Sequence, residues 1–168
     1  MTLMSLFNTP LSLVSVTWGA LLIQTFCTFA MTGLIWLIQG VHYPLMAKVG
    51  ETNFVEYVHL HARQITMIVG PLMVIEVATV LMCLYWGKQI GLPMWTTWLG
   101  LGLVFVIWAS TAFFSVPCHE TLAGGFDLPT IERLVQTNWI RTIAWTLRSI
   151  LLLGVLWYLM IGRTASHG

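Results

Sequence analysis

Four of the five histidines, His42, His59, His61 and His119, fall in the two longest polar stretches of a chain that is otherwise strongly apolar. Imidazole titrates near neutral pH and is a common ligand for transition metals and haem iron. Rings converging from different segments would therefore hold a metal ion, hold a haem or shuttle protons. Geometry limits the set. Positions 59 and 61 lie about 200° apart on a helix of 3.6 residues per turn, so only one of His59 and His61 can face a common site. His59 shares a face with Glu56 and Arg63, whereas His61 lies closer to the face of Glu76. The expected metal-ligating set is thus His42, His119 and one of His59 and His61. The competing reading leaves all four as interfacial polar residues that cap helix ends and meet water. His167, in the C-terminal tail, is expected to be inert.

Four charged residues accompany them. Arg63 and Arg141 open the second and fourth apolar segments, where the default role is to reach lipid headgroups. The alternative is to hold a cofactor's acidic group or a quinone carbonyl. Glu76 lies about 20 Å along a helix from Arg63, and Arg148 about 15 Å from Asn138, at 1.5 Å per residue. Both reach the middle of a bilayer, where a lone charge costs at least about 2.5–3.5 kcal/mol. Pairing is the cheapest remedy, so Glu76 and Arg148 are expected to meet directly or through one polar bridge. The pair would either fix helix register or serve a proton path or a cofactor.

Composition sets the solvent in which these residues act. The chain has 168 residues, 58% of them hydrophobic and 8% charged, against about 25% charged in a soluble domain. Mean hydropathy is +0.85. Net charge is +1 with no basic run, which argues against nucleic acid as a partner. Cys27, Cys83 and Cys118 have no metal-type spacing and read as small buried hydrophobes. Met1–Pro10 has no Lys or Arg, so a cleaved secretory signal is not expected. Phosphate loops, GxSxG, HExxH and CxxCH are absent, and five histidines are too few for the histidine boxes of membrane desaturases.

The elements that must position these groups follow from hydropathy. Four segments, 18–39, 65–86, 94–116 and 139–161, are long enough to cross a bilayer as helices. Lipid leaves no other way to satisfy the backbone. The fold expected is an all-α membrane protein, an antiparallel bundle of four transmembrane helices forming a single domain over 1–168. Its two long connections, Gly40–Gln64 and Pro117–Asn138, share one side, here side A, and each is expected to contain a short amphipathic helix. Asp127 would cap the second of these with Pro129 in its first turn, and Pro71 could kink the second span. The opposite side B, which carries both termini, has an aromatic belt of Trp18, Tyr85, Trp86, Trp95, Trp98, Trp157 and Tyr158. Polar stripes are expected to face inward: Gln24, Thr28, Gln39 and His42; Thr111, Ser115, Cys118 and His119; Asn138, Arg141, Thr142, Trp145 and Arg148. His42 precedes Arg63 by 21 residues and His119 precedes Arg141 by 22, which hints at a duplicated hairpin. Lysine and arginine counts lean to both termini in the cytoplasm, as for a protein of the bacterial inner membrane.

The motif Val41–Leu45 (VHYPL), the FxxYxxxHxR pattern at Phe54–Arg63 and Thr137–Thr142 (TNWIRT) together resemble an uncharacterised family of small bacterial four-span membrane proteins. A looser likeness is to the anthrone-oxygenase-like membrane family of unknown function. These resemblances imply four spans and carry no catalytic residue onto this chain. The leading functional expectation is a redox-related membrane protein that binds a metal, haem or quinone-like ligand. Its side A pocket would combine His42, His59 or His61, and His119 with Arg63 and Arg141, above a floor of Glu76 and Arg148. The alternatives are an accessory or scaffold subunit of a larger membrane complex, a homo-oligomer included, and a proton-coupled transporter.

Overall fold

Long apolar runs with few glycine or proline interruptions favour helix throughout. The computed structural model of the protein, which describes residues 12–165, contains only helical elements and turns among them. Four helices are long and apolar enough to cross a membrane. The first combines α1 (Leu13–Leu37), a wider π turn (Ile38–His42) and the short α2 (Tyr43–Met46). The second is α3 (Phe54–Trp86). The third combines α4 (Met94–Ser110), a second π turn (Thr111–Ser115) and α5 (Val116–Ala123). The fourth is α6 (Leu128–Ala165). His167 lies outside the described residues.

Each long helix packs on two others, α1 on α3 and α6, and α4 on the same two. One apolar cluster gathers Met31, Ile35, Phe54, Val58, Ile107, Leu122 and Trp145; another gathers Leu21, Cys83, Leu92, Leu152 and Val155. The distribution of polarity is the reverse of that in a water-soluble domain. Gln24, Thr28, Gln39, Glu76, Asn138, Arg141 and Arg148 are buried, while Phe26, Phe105 and Phe113 are 69–73% exposed. Every residue of the expected inward stripes is buried or half-buried. Tyr85, Trp95, Trp98, Trp157 and Tyr158 of the expected belt are exposed.

The amphipathic segments differ from expectation. They are not separate helices. Residues 54–64 form the first turns of α3, and residues 128–138 those of α6. Extending a helix by one residue adds a hydrogen bond without a new nucleus, and neither segment contains an interior breaker. Asp127 does cap α6, accepting from the backbone N–H of Thr130 at 3.0 Å, with Pro129 in the first turn. Pro71 sits inside α3 without ending it.

The two π turns share a cause. Proline has no N–H and its ring excludes the carbonyl four residues back. Pro44 and Pro117 each stand two residues after the last residue of a π turn. The residue before each proline donates five residues back, Tyr43 to Ile38 O and Val116 to Thr111 O. The helix thus widens by one residue where the proline cannot close a normal turn. This repetition is independent of the histidines. Aligning the two prolines sets His42 against Ser115 rather than His119.

Candidate functional site

The first π turn ends on His42, and its widened geometry delivers that ring to the face of α3. There, Tyr57 and His61 stand four residues apart on one helical face. His42 stacks on His61, with ring centroids 4.2 Å apart and planes 28° from parallel. The Tyr57 hydroxyl meets His42 Nε2 at 3.2 Å. From α5, His119 brings its ring to 5.6 Å from that of His61. Three of the four expected histidines therefore gather, and the rotation between positions 59 and 61 decides which is left out. His59 is exposed on the same face as Arg63, which is also exposed. Neither lines the cluster, so the expectation that Arg63 holds a ligand beside the other histidines is corrected.

Arg141 enters from α6 by a different route. Its Nη2 donates to the Tyr43 hydroxyl at 3.3 Å, and that hydroxyl lies 3.2 Å from His119 Nε2. The Tyr43 oxygen accepts from Arg141, and its hydroxyl shares a hydrogen bond with His119 Nε2 whose direction follows the tautomer of that ring. Arg141 also donates to Asn138 Oδ1, Asn138 Nδ2 to Gln39 Oε1 at 2.7 Å, and Gln39 Nε2 to the carbonyl of Val135 at 3.2 Å. The result is a continuous polar chain from Gln39 through Asn138, Arg141 and Tyr43 to His119. Two ring nitrogens in the cluster, His61 Nε2 and His119 Nδ1, are buried without a hydrogen-bond partner. Such atoms are costly unless a bound group satisfies them.

Beside the cluster runs a groove of about 250 Å³ between α1 and α3. Its walls are Leu34, Leu37, Ile38, Val41, Leu45 and Ile65, and its polar lining is His42 and His61. Leu37, Val41 and Leu45 are 48–57% exposed, so the groove opens on the outer apolar surface.

Metal and haem expectations fare differently. Among the described residues no group of three or more His, Cys, Asp or Glu side chains is arranged to hold a metal ion. The physical reason lies in the stacking. His42 and His61 meet face to face, so their lone pairs, which lie in the ring planes, do not point at a shared centre. The Nε2 atoms of His42 and His119 are each taken by a tyrosine hydroxyl. Stacked as they are, His42 and His61 do not offer nitrogens facing each other across an iron.

Deeper in the bundle, Arg148 Nη2 lies 3.3 Å from Glu76 Oε1, the pairing expected from their positions. Thr28 donates to Glu76 Oε1 at 2.6 Å and Trp145 Nε1 to Oε2 at 2.9 Å. Arg148 Nη1 donates to the Gly100 carbonyl at 2.7 Å, and Nη2 reaches Thr28 Oγ1 at 3.2 Å. One ion pair thus ties α1, α3, α4 and α6 together. A Cβ at Gly100 would lie 3.7 Å from Arg148 Nη1, an ordinary contact distance, so this hydrogen bond does not itself require glycine.

Reasoning from residue spacing missed Tyr43 and Tyr57 as members of the cluster, whereas Asn138 and Arg141 were expected together in the inward stripe and do meet. The signal was present for Tyr57, four residues before His61 on the same helical face. Comparison with protein-family models, curated proteins and solved structures finds no match to this chain.

Proposed function

We propose that the chain is an integral membrane protein, an antiparallel four-helix bundle, that binds the polar head of a lipid-soluble, quinone-like molecule and exchanges protons with it. The observation that carries this reading is the groove between α1 and α3. It has apolar walls, opens on the apolar exterior and carries two imidazoles, His42 and His61, in its lining. A ligand that arrives from the hydrocarbon phase, buries an apolar tail along Leu37 and Val41, and presents a carbonyl or hydroxyl to imidazole matches that distribution.

Membrane insertion is supported by the inverted polarity of the bundle, since exposed Phe26, Phe105 and Phe113 are at home in lipid and buried Gln24 and Asn138 are not. The antiparallel arrangement is supported by the order of contacts. Residues 28, 76 and 148 meet in one layer, and 42, 61 and 119 in another.

Oxidation of a quinol to a quinone releases two protons and two electrons. The residues of this chain offer positions for the protons alone: His61 Nε2 and the run from His119 to Tyr43. The electrons pass to a redox partner in the membrane, which joins the redox reading to that of an accessory subunit. Proton-coupled transport through Glu76 is disfavoured, because its carboxylate already accepts from three donors.

The test is binding of a short-tailed benzoquinone to the protein in nanodiscs, followed by tryptophan quenching. Saturable binding that weakens tenfold or more in His61→Phe and in Val41→Trp, and is unchanged in His59→Phe, supports the reading. Absence of saturable binding to the unaltered protein overturns it. So does a Soret band or stoichiometric metal in the purified protein.

A further inference from the structure

We propose a second, separate binding site, for a single water molecule held between Arg148 and Gln24 on the side of the ion pair away from the histidines. Two observations meet there. Arg148 Nε and Gln24 Oε1 are buried side-chain atoms with no hydrogen-bond partner, on residues that are 1% and 4% exposed. Both residues line the same small space of about 20 Å³, enclosed further by Cys83, Thr97, Gly100 and Leu152.

The size selects the occupant. About 10–15 Å³ of such space is the least that holds one water, and 20 Å³ leaves no room for a ligand much larger than water. The chemistry selects it a second time. The Arg148 Nε–H can only donate, and the Gln24 carbonyl oxygen can only accept. The bridging species must accept from one and donate to the other. A chloride ion has no proton for Gln24, and a cation cannot accept from the guanidinium. Water does both.

The site has a structural consequence. Arg148 already directs Nη1 to Gly100 and Nη2 to Glu76 and Thr28, and the water engages its remaining edge. Gln24 stands one helical turn before Thr28, so the water adds a second tie between α1 and the ion pair. With the water, each nitrogen of the buried guanidinium has a partner, which favours its charged form in low-dielectric surroundings.

The experiment is water-edited solid-state NMR of the protein in lipid bilayers with ¹⁵N-labelled arginine, together with a structure determined from crystals grown in bromide. Expected is rapid magnetisation transfer from water to Arg148 Nε–H, with a density peak at hydrogen-bonding distance from both Arg148 Nε and Gln24 Oε1. Gln24→Leu removes the acceptor, and the transfer to Nε–H falls severalfold while the Arg148 Nη signals paired with Glu76 persist. That persistence shows the variant is folded. Thr97→Val, which leaves both named atoms in place, retains the transfer. Anomalous bromide density at the site overturns the proposal. So does a direct hydrogen bond between Gln24 and Arg148, or the absence of transfer in the unaltered protein.

Discussion

Replacing Arg148 by methionine leaves the Glu76 carboxylate, on a residue 2% exposed, with Thr28 and Trp145 as its remaining donors. At the observed separation of 3.3 Å, the attraction between unit charges is about 5 kcal/mol at an effective dielectric constant near 20. Breaking one partner of a buried pair typically costs about 3–5 kcal/mol. A lone charge deep in a bilayer costs about 2.5–3.5 kcal/mol on insertion scales. The ranges overlap near 3 kcal/mol, and that is the expected destabilisation of Arg148→Met. Glu76→Gln should cost a similar amount, because it strands the guanidinium. The double variant removes both charges, and its glutamine oxygen can accept from Trp145 Nε1 while its amide NH2 donates to Thr28 Oγ1. It should therefore be less destabilised than the sum of the single variants by about 2–3 kcal/mol. Equilibrium unfolding in mixed micelles, titrated with dodecyl sulfate and followed by tryptophan fluorescence, measures all four corners of the cycle. A coupling below about 0.5 kcal/mol, the low end for directly interacting residues, would refute the claim that this pair is what ties the four helices together.

Three further outcomes follow from the same geometry. Trp145→Phe keeps the ring in its apolar cluster but removes the Nε1–H donor to Glu76 Oε2, and should cost about 1.5–3 kcal/mol in the same titration, as for a hydrogen bond to a charged group. Asn138→Leu severs the run between Gln39 and Arg141, leaving buried polar groups unmatched at about 1–3 kcal/mol; an unfolding midpoint equal to that of the unaltered protein would contradict the continuity of that run. Asp127→Ala removes the cap of α6 at about 1 kcal/mol, and hydrogen exchange should accelerate at residues 128–131 while α4 is unaffected.

Much of this protein was legible in the order of its residues because lipid-like composition and helical periodicity are local properties. Apolar runs of about 20 residues dictate long helices wherever the backbone must satisfy itself. Two charges placed at similar depths dictate that they meet, and Glu76 and Arg148 do. The rotation of 200° per two residues dictated that His59 and His61 part company, though not which would turn inward. What the chain order did not determine was everything that depends on how the helices rotate and widen against one another. The π turns before Pro44 and Pro117 each insert an extra residue into the helix, which a count at 3.6 residues per turn does not anticipate. Packing of α1 on α3 selected His61 over His59, stacked it on His42 and so turned the ring nitrogens away from a common metal centre. Tyr43, Tyr57 and the Gly100 carbonyl joined their networks only through contacts between helices distant in sequence. Hydropathy acts along one strand of chain and is read there, whereas hydrogen bonds between helices depend on angles that only the packed bundle defines.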